Sequence, residues 1–313
     1  MSFFLDPFPY RGRCVGISIS AGDAGIPPGY NAEHFVNQAT YHLGTRYLLL
    51  GASLVLGHRW QEGGIMEHLA RRAAEFPYSF PQPKDGGRVF PIINRLAWPD
   101  ELPQYDDNLA GWITQIMEVR QVQPAGITTT GLTDDSDLGK FARIRALTAM
   151  RKELVAASDV RICLGGAAGK PVRRLPGVLE EALLTYDAGK PLYLAGALGG
   201  ITKALCDAIL QRRMTDAARD AFHTPVEVAQ LLQDLRGQHP YPDDEGPSRP
   251  GASYDALQHA ERISVEQLAS RAHLSIDDYL TLMTTPDMGR AIELATLGVA
   301  RTFTPAQPSA SGS

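Results

Sequence analysis

Cysteine is scarce in this chain and scattered where it occurs, at Cys14, Cys163 and Cys206. That spacing excludes a disulfide framework and offers no metal-ligand pattern. Cys14 and Cys163 fall in or beside apolar strand patterns, as buried free thiols of a reducing compartment do. Basic excess is missing as well. Lys and Arg number 30 against 35 Asp and Glu, a net charge of −5, and the pI is near 5.9. Such a balance carries no general nucleic-acid footprint. No long hydrophobic run is present; Leu48–Leu56 is short and interrupted by glycine, too little to span a bilayer. The opening MSFFLDPFPYRGR has no basic leader followed by a long apolar stretch, so no signal peptide is expected. These absences lead to the expectation of a soluble, cytoplasmic protein with no membrane partner, no metal and no cofactor.

What is there is an alternation. With 313 residues, 44% of them apolar, the chain can fill one large α/β domain, or one plus a small one. The pattern predicts a strand at Cys14–Ser20, a helix at Asn31–His42 continuing to Tyr47, and a strand at Ser53–Gly57. A helix at Gly64–Ala74, a strand at Val89–Ile93 and an amphipathic helix at Leu109–Val122 follow. Ile127–Thr130 reads as a short strand end or loop, Leu138–Ala157 as a long helix, and Val160–Leu164 and Pro191–Leu194 as strands, with a helix at Thr202–Arg213. Strands alternating with helices imply right-handed crossovers and a mainly parallel sheet, with the glycine loops gathered at the strand carboxyl ends. After about Met214 the pattern turns helical, with Pro225–Leu235, Ser264–Ala272, Ser275–Met283 and Met288–Val299. Ser264 and Ser275 suit N-caps. We therefore expect a Rossmann-like, doubly wound α/β domain at residues 1–213 and a helical C-terminal region at 214–313. The latter carries a mobile loop near 237–253 and a disordered tail.

Four glycine-bearing loops lie at strand ends: Ser20–Gly25, Gly57–Gly64, Gly165–Gly169 and Gly196–Gly200. Glycine lets a backbone approach a phosphate and aim N–H groups at it near a helix N-terminus. Tight turns alone also need glycine, but four such loops favour a ligand at the switch point of a doubly wound sheet. The candidate ligand-binding residues are Ser20, Gly22, Asp23, His58, Arg59, Gly63, Gly64, Arg151, Gly165, Gly166, Gly169, Gly177, Glu180, Glu181, Gly199 and Gly200. Arg151 could clamp a phosphate bidentately or belong to a solvated helix face, where Arg143 and Arg145 are expected. Glu180 and Glu181 sit where a helix dipole favours carboxylates, and one could instead accept hydrogen bonds from a ribose or assist water attack at an N-glycosidic carbon. Trp60 could stack on a base or pack its loop down. Asp23 and Asn31 could bind hydroxyls or cap the first helix.

The segment Leu147–Ile201 resembles the SLOG superfamily, which joins the DprA/Smf proteins, the LOG cytokinin-activating phosphoribohydrolases and the sensor regions of TRPM-type channels. The resemblance runs from about Arg13 to Arg213. Arg151-Lys152 matches the Arg-Lys pair of LOG enzymes. Leu164-Gly165-Gly166 matches the start of their Pro-Gly-Gly-x-Gly-Thr-x-x-Glu loop, and Gly177-Val178-Leu179-Glu180-Glu181 its end. If the chain is an enzyme, the resemblance puts the catalytic arginine on Arg151 and the glutamate on Glu181, as in a nucleotide N-glycosidase or phosphoribohydrolase. The match departs in three places. Leu164 replaces proline, Val178 replaces threonine, and AGKPVRRLP interrupts the loop, adding Lys170, Arg173 and Arg174. Turnover of simple nucleotides should therefore be absent or slow, with Arg173 and Arg174 suited to a second phosphate. GALGGITKAL resembles the TRPM-related, bacterial antiphage branch, whose SLOG domains are thought to sense ADP-ribose or cyclic ADP-ribose.

The expected function is binding of a nucleotide, NAD-derived, as a sensor in antiphage or stress signalling. A hydrolase and an interaction protein acting through its helical tail are the alternatives. The expected partners are the nucleotide itself, a second copy of the chain and an effector protein.

Overall fold

The computed structural model describes residues 8–20, 32–76, 89–105, 107–168, 174–239 and 255–304. Its centre is a sheet of six strands: β1 (Cys14–Ser20), β2 (Ser53–Leu56), β3 (Ile92–Ala97), β4 (Met117–Val122), β5 (Val160–Gly165) and β6 (Leu192–Ala195). They stand in the order β4-β3-β2-β1-β5-β6, and every pairing is parallel. The helices between them are α1 (Ala32–Leu49), α2 (Ile65–Ala74), α3 (Asp107–Ile116), α4 (Asp137–Ala157) and α5 (Gly177–Asp187). The chain winds from β1 outwards to β4, returns through α4 to β5, and goes on to β6. Right-handed crossovers in opposite directions put their helices on opposite faces. Accordingly α1 packs on β1 and β2, while α4 and α5 pack on each other and on β1.

The sequence of β1, CVGISIS, explains the space on the α4–α5 side. Val15, Ile17 and Ile19 alternate with Cys14, Gly16, Ser18 and Ser20. A strand sends successive side chains to opposite faces, so one face of β1 is aliphatic and the other small. Opposite the small face, Gly16 pairs with Arg161, Ser18 with Cys163 and Ser20 with Gly165.

Two expectations need correction on this side of the sheet. The helix expected at Leu109–Val122 ends at Ile116, and Met117–Val122 is the edge strand β4. Its Glu118, Arg120 and Gln121 are the polar residues with which an edge strand blunts pairing to other chains, and they counterfeit the polar face of a helix. The third strand begins at Ile92 and not Val89; Pro91 has no N–H for the ladder and offers its carbonyl to Leu54 N–H at 2.8 Å.

Beyond β6 come a 3-10 turn (Gly196–Leu198), α6 (Gly200–Ile209), α7 (Asp216–Asp220), α8 (Val226–Arg236), α9 (Ala256–Glu261), α10 (Val265–Arg271), α11 (Ile276–Thr284) and α12 (Met288–Phe303). Ser264 and Ser275 do cap α10 and α11, accepting from Gln267 N–H at 3.2 Å and Asp278 N–H at 3.1 Å. Helix α8 packs Val228 and Leu232 on Phe141 and Ile144 of α4. The last helices cover β6: Tyr279 OH donates to the Leu192 carbonyl at 2.6 Å, and Tyr193 OH to the Ala272 carbonyl at 3.2 Å. Most of the loop expected near 237–253, and the tail from residue 305, lie outside the described residues. No helix among the described residues is long and apolar enough to cross a membrane.

Candidate functional site

Between β1 and β5 the direction of winding reverses, and outside the carboxyl ends of such strands a crevice is left open. A cavity of about 440 Å³ occupies that place. Ile17–Ser20 of β1 form its floor, with Gly57, His58, Arg59 and Gln61 after β2, and Arg95, Leu96 and Asp100 in and after β3. Ala167 follows β5, and Gly177, Val178 and Glu181 belong to α5. The far wall is α4, which presents Arg143, Leu147, Met150 and Arg151; the spacing i, i+4, i+7, i+8 is one helix face. This corrects the expectation for Arg143, which faces the cavity and not open solvent. Arg145 is buried too: its guanidinium stacks 4.5 Å from the Phe141 ring centroid and donates to the His239 carbonyl at 2.7 Å.

Arg151 is 3% exposed. One end of its guanidinium is ion-paired with Glu180. Thr148 donates to the same carboxylate at 2.7 Å and Arg174 at 3.0 Å. Burial alone would raise the Glu180 carboxyl; the attraction of Arg151 and Arg174 and the hydrogen bonds outweigh it, and the net direction is down. Among the described residues Arg151 Nε has no hydrogen-bond partner, and Nη2 lies 3.1 Å from where a Cβ on Gly177 would be. Glycine at the first position of α5 thus keeps the space between the guanidinium and the helix N-terminus open. The first N–H groups of a helix have no intrahelical partner and attract anions.

Glu181 is held from beneath. Its Oε2 accepts from Ser18 Oγ–H and from Arg161 Nη1 at 2.7 Å. Arg161 is fully buried; it also donates to Ser18 Oγ at 2.8 Å and to Ser158 Oγ at 3.2 Å. The small face of β1 makes room for it, since a Cβ on Gly16 would stand 2.9 Å from the guanidinium carbon. Glu181 also lines the cavity. Neither Arg161 nor Ser18 was singled out in the sequence; the available signal is an arginine inside an otherwise apolar strand, VRICL.

At the mouth, Arg59 is ion-paired with Asp100. Asn94 pins the loop by accepting from His58 N–H at 3.0 Å and donating to the His58 carbonyl at 2.7 Å. Burial pushes the His58 imidazole below its ordinary value, against the pull of its hydrogen bond to Ile19 and of Glu181, so it adds no positive charge near neutrality. Trp60 packs edge-on against Tyr105, with ring centroids 5.0 Å apart, and is not among the lining residues.

Of the other candidates, Gly63 N–H donates to Glu67 Oε2 at 2.9 Å, and Gly64 precedes α2; neither lines the cavity. Gly165, Gly166, Gly199 and Gly200 pack against one another. All four have positive φ, Gly166 N–H donates to the Ser20 carbonyl at 2.9 Å, and Ile201 N–H to the Gly166 carbonyl at 2.8 Å. Their conformation serves a close crossing of two loops. Glu180 points to Arg151 and Arg174, and the Arg174 side chain, expected at a second phosphate, is 4% exposed within that cluster. Gly22, Asp23, Gly169, Lys170 and Arg173 lie outside the described residues.

Burial raises the thiols of Cys14 to about 11 and of Cys163 to about 12, which keeps them from acting as nucleophiles. No group of His, Cys, Asp and Glu among the described residues could hold a metal ion.

Set beside known proteins, the chain matches the family model SLOG cluster2 over residues 9–241. Among solved structures it is similar to the X-ray structure of TM1055, a Northeast Structural Genomics Consortium target. The identity is 18% and the TM-score 0.34, covering 72% of this chain and 99% of that one. No curated protein matches.

Proposed function

The chain belongs to the SLOG cluster2 family, and on that premise we propose that the cavity at the β1–β5 switch point binds an anionic nucleotide. Membership supports a nucleotide-related function and a small-molecule ligand. Arg151 is the observation that carries the proposal. Its guanidinium is buried, lines the cavity beside Gly177 at the start of α5, and has no partner for Nε among the described residues. A phosphate between it and the N-terminus of α5 supplies the missing acceptor. Ile17, Leu96, Leu147 and Met150 line the cavity as an apolar wall for a base, and the Glu181 carboxylate lines it as an acceptor for a ribose hydroxyl. We take the ligand to be NAD-derived, ADP-ribose or a cyclic relative, and the protein to act in the bacterial cytoplasm as an antiphage or stress sensor, speaking to an effector protein or a second copy of itself. That choice rests on the resemblance of GALGGITKAL.

A thermal-shift screen with AMP, ADP-ribose, cyclic ADP-ribose, NAD and NADP tests the proposal, since a ligand of the folded state raises its stability by mass action. At least one should raise the melting temperature, and Arg151→Lys should weaken that ligand by roughly 1–3 kcal/mol in calorimetry. No shift with any nucleotide would reject nucleotide binding.

The hydrolase reading has one observation in its favour: Glu181 and Arg151 line the same cavity. Against it, Glu181 Oε2 is committed to Arg161 and Ser18, and catalysis demands placement within about half an ångström. We expect release of free base from AMP or NAD to be absent or slow. Release that disappears in Glu181→Gln would establish the hydrolase.

A further inference from the structure

We propose that the cavity is built for a nucleotide with two separated anionic groups, one held at Arg151 and one at Arg143. This rests on the nucleotide-binding proposal and narrows its NAD-derived ligand to one that carries a further phosphate apart from its diphosphate, which ADP-ribose itself does not. Arg143 and Arg151 stand on the same face of α4, with Leu147 between them, and all three line the cavity. Eight residues of helix put the two Cα atoms about 12 Å apart. The two environments differ. The Arg151 side chain is 4% exposed and fixed by Glu180; the Arg143 side chain is 32% exposed and has Asp134 at 3.7 Å, a loose pair that an incoming anion can replace. Arg59, on the loop after β2, is 65% exposed, is paired with Asp100 and lines the cavity as well. Between the two cationic ends the wall is apolar, Leu147 and Met150, which suits the ribose and base that separate two charges. A phosphate on the 5′ position and another on the far side of the ribose match two arginines set apart along one helix better than two adjacent phosphates, as in ADP, do.

The test compares AMP, ADP and adenosine 2′,5′-bisphosphate by calorimetry with the intact chain. In the wild type the bisphosphate should bind about tenfold or more tightly than AMP, the gain of one further charge-assisted contact, and more tightly than ADP. In Arg143→Ala, and in Arg143→Gln, which keeps much of the stem, the ratio of bisphosphate to AMP affinity should fall towards one. In Arg151→Lys all three ligands should weaken and the ratio should survive. Binding of AMP without a gain for the bisphosphate overturns the two-anion inference and leaves nucleotide binding standing, as does a gain that persists in both Arg143 variants. Failure of all three ligands to bind overturns both.

Discussion

An arginine without solvent exposure, Arg161, sits under the carboxylate that the resemblance marks as functional. The two charges hold one another. Removing one member of a buried pair leaves the other uncompensated, at about 3–5 kcal/mol. Glu181→Ala should therefore destabilise the protein by about 3 kcal/mol in urea denaturation, and adding Arg161→Met should restore most of it. A Glu181→Ala protein as stable as the wild type would show that the pair is dispensable. Glu180 makes a separate prediction. Its folded value lies below the ordinary 4.5, so its contribution is complete above that pH and is lost as the pH falls through the folded value. Urea midpoints between about pH 7 and pH 3 should drop below 4.5 in the wild type and drop less steeply in Glu180→Gln. An unchanged acid slope would contradict the pairing. Ser20, His58, Arg59, Arg151, Gly177 and Glu181, candidates from the sequence, line one cavity; they were legible because strand exits and helix starts are local features. Arg143, Arg95, Asp100 and Arg161 were out of reach, since the packing of α4, the place of β3 in the sheet and the register of β1 against β5, which bring the first three to the cavity and Arg161 beneath Glu181, are all non-local.

Helix α4 is the element on which the site depends. It carries Arg143, Leu147, Met150 and Arg151 to the cavity and Phe141 and Ile144 to α8. Its start is fixed by Ser136, whose Oγ accepts from Gly139 N–H at 3.0 Å and donates to the Thr133 carbonyl at 2.8 Å. Ser136→Ala should cost about 1 kcal/mol, seen as a lower melting temperature. Because Arg143 lies nearer this end than Arg151, hydrogen exchange should quicken more around Arg143; equal protection at both would show that the cap does not govern the first turns. At this scale the sequence was most readable where a short apolar run ends in small residues, as in β1 and β5, and where serines cap, as in α10 and α11. It misled at Met117–Val122, where a polar edge strand follows a helix without a breaker, and at Pro91, where a missing N–H delays the strand.

At the scale of the whole molecule, the region after Met214 was expected as a helical appendage to a nucleotide-binding domain, and the family match ends at residue 241. The contacts made after that point are those of a core. Tyr193 of β6 is enclosed by the last helices: its hydroxyl meets the Ala272 carbonyl at 3.2 Å and Thr302 Oγ1 at 2.9 Å. Phe303 meets Tyr10, before β1, edge-on with ring centroids 5.2 Å apart. Arg271 donates to the Tyr186 carbonyl at the end of α5 at 2.8 Å. Leu268, Leu282, Met283, Leu294 and Val299 are buried with them. Each such side chain contributes roughly 1.5–3 kcal/mol on burial, so their combined loss is comparable with the whole net stability of a domain, about 5–15 kcal/mol. Truncation after residue 241, at the family boundary, should then give a chain that is insoluble or unfolded, with β6 open along one edge. Truncation after residue 304 should leave melting temperature and elution volume per mass unchanged. A soluble, cooperatively melting 1–241 protein would show instead that the last helices are an accessory, free to leave the sheet, and would turn attention to what else they bind.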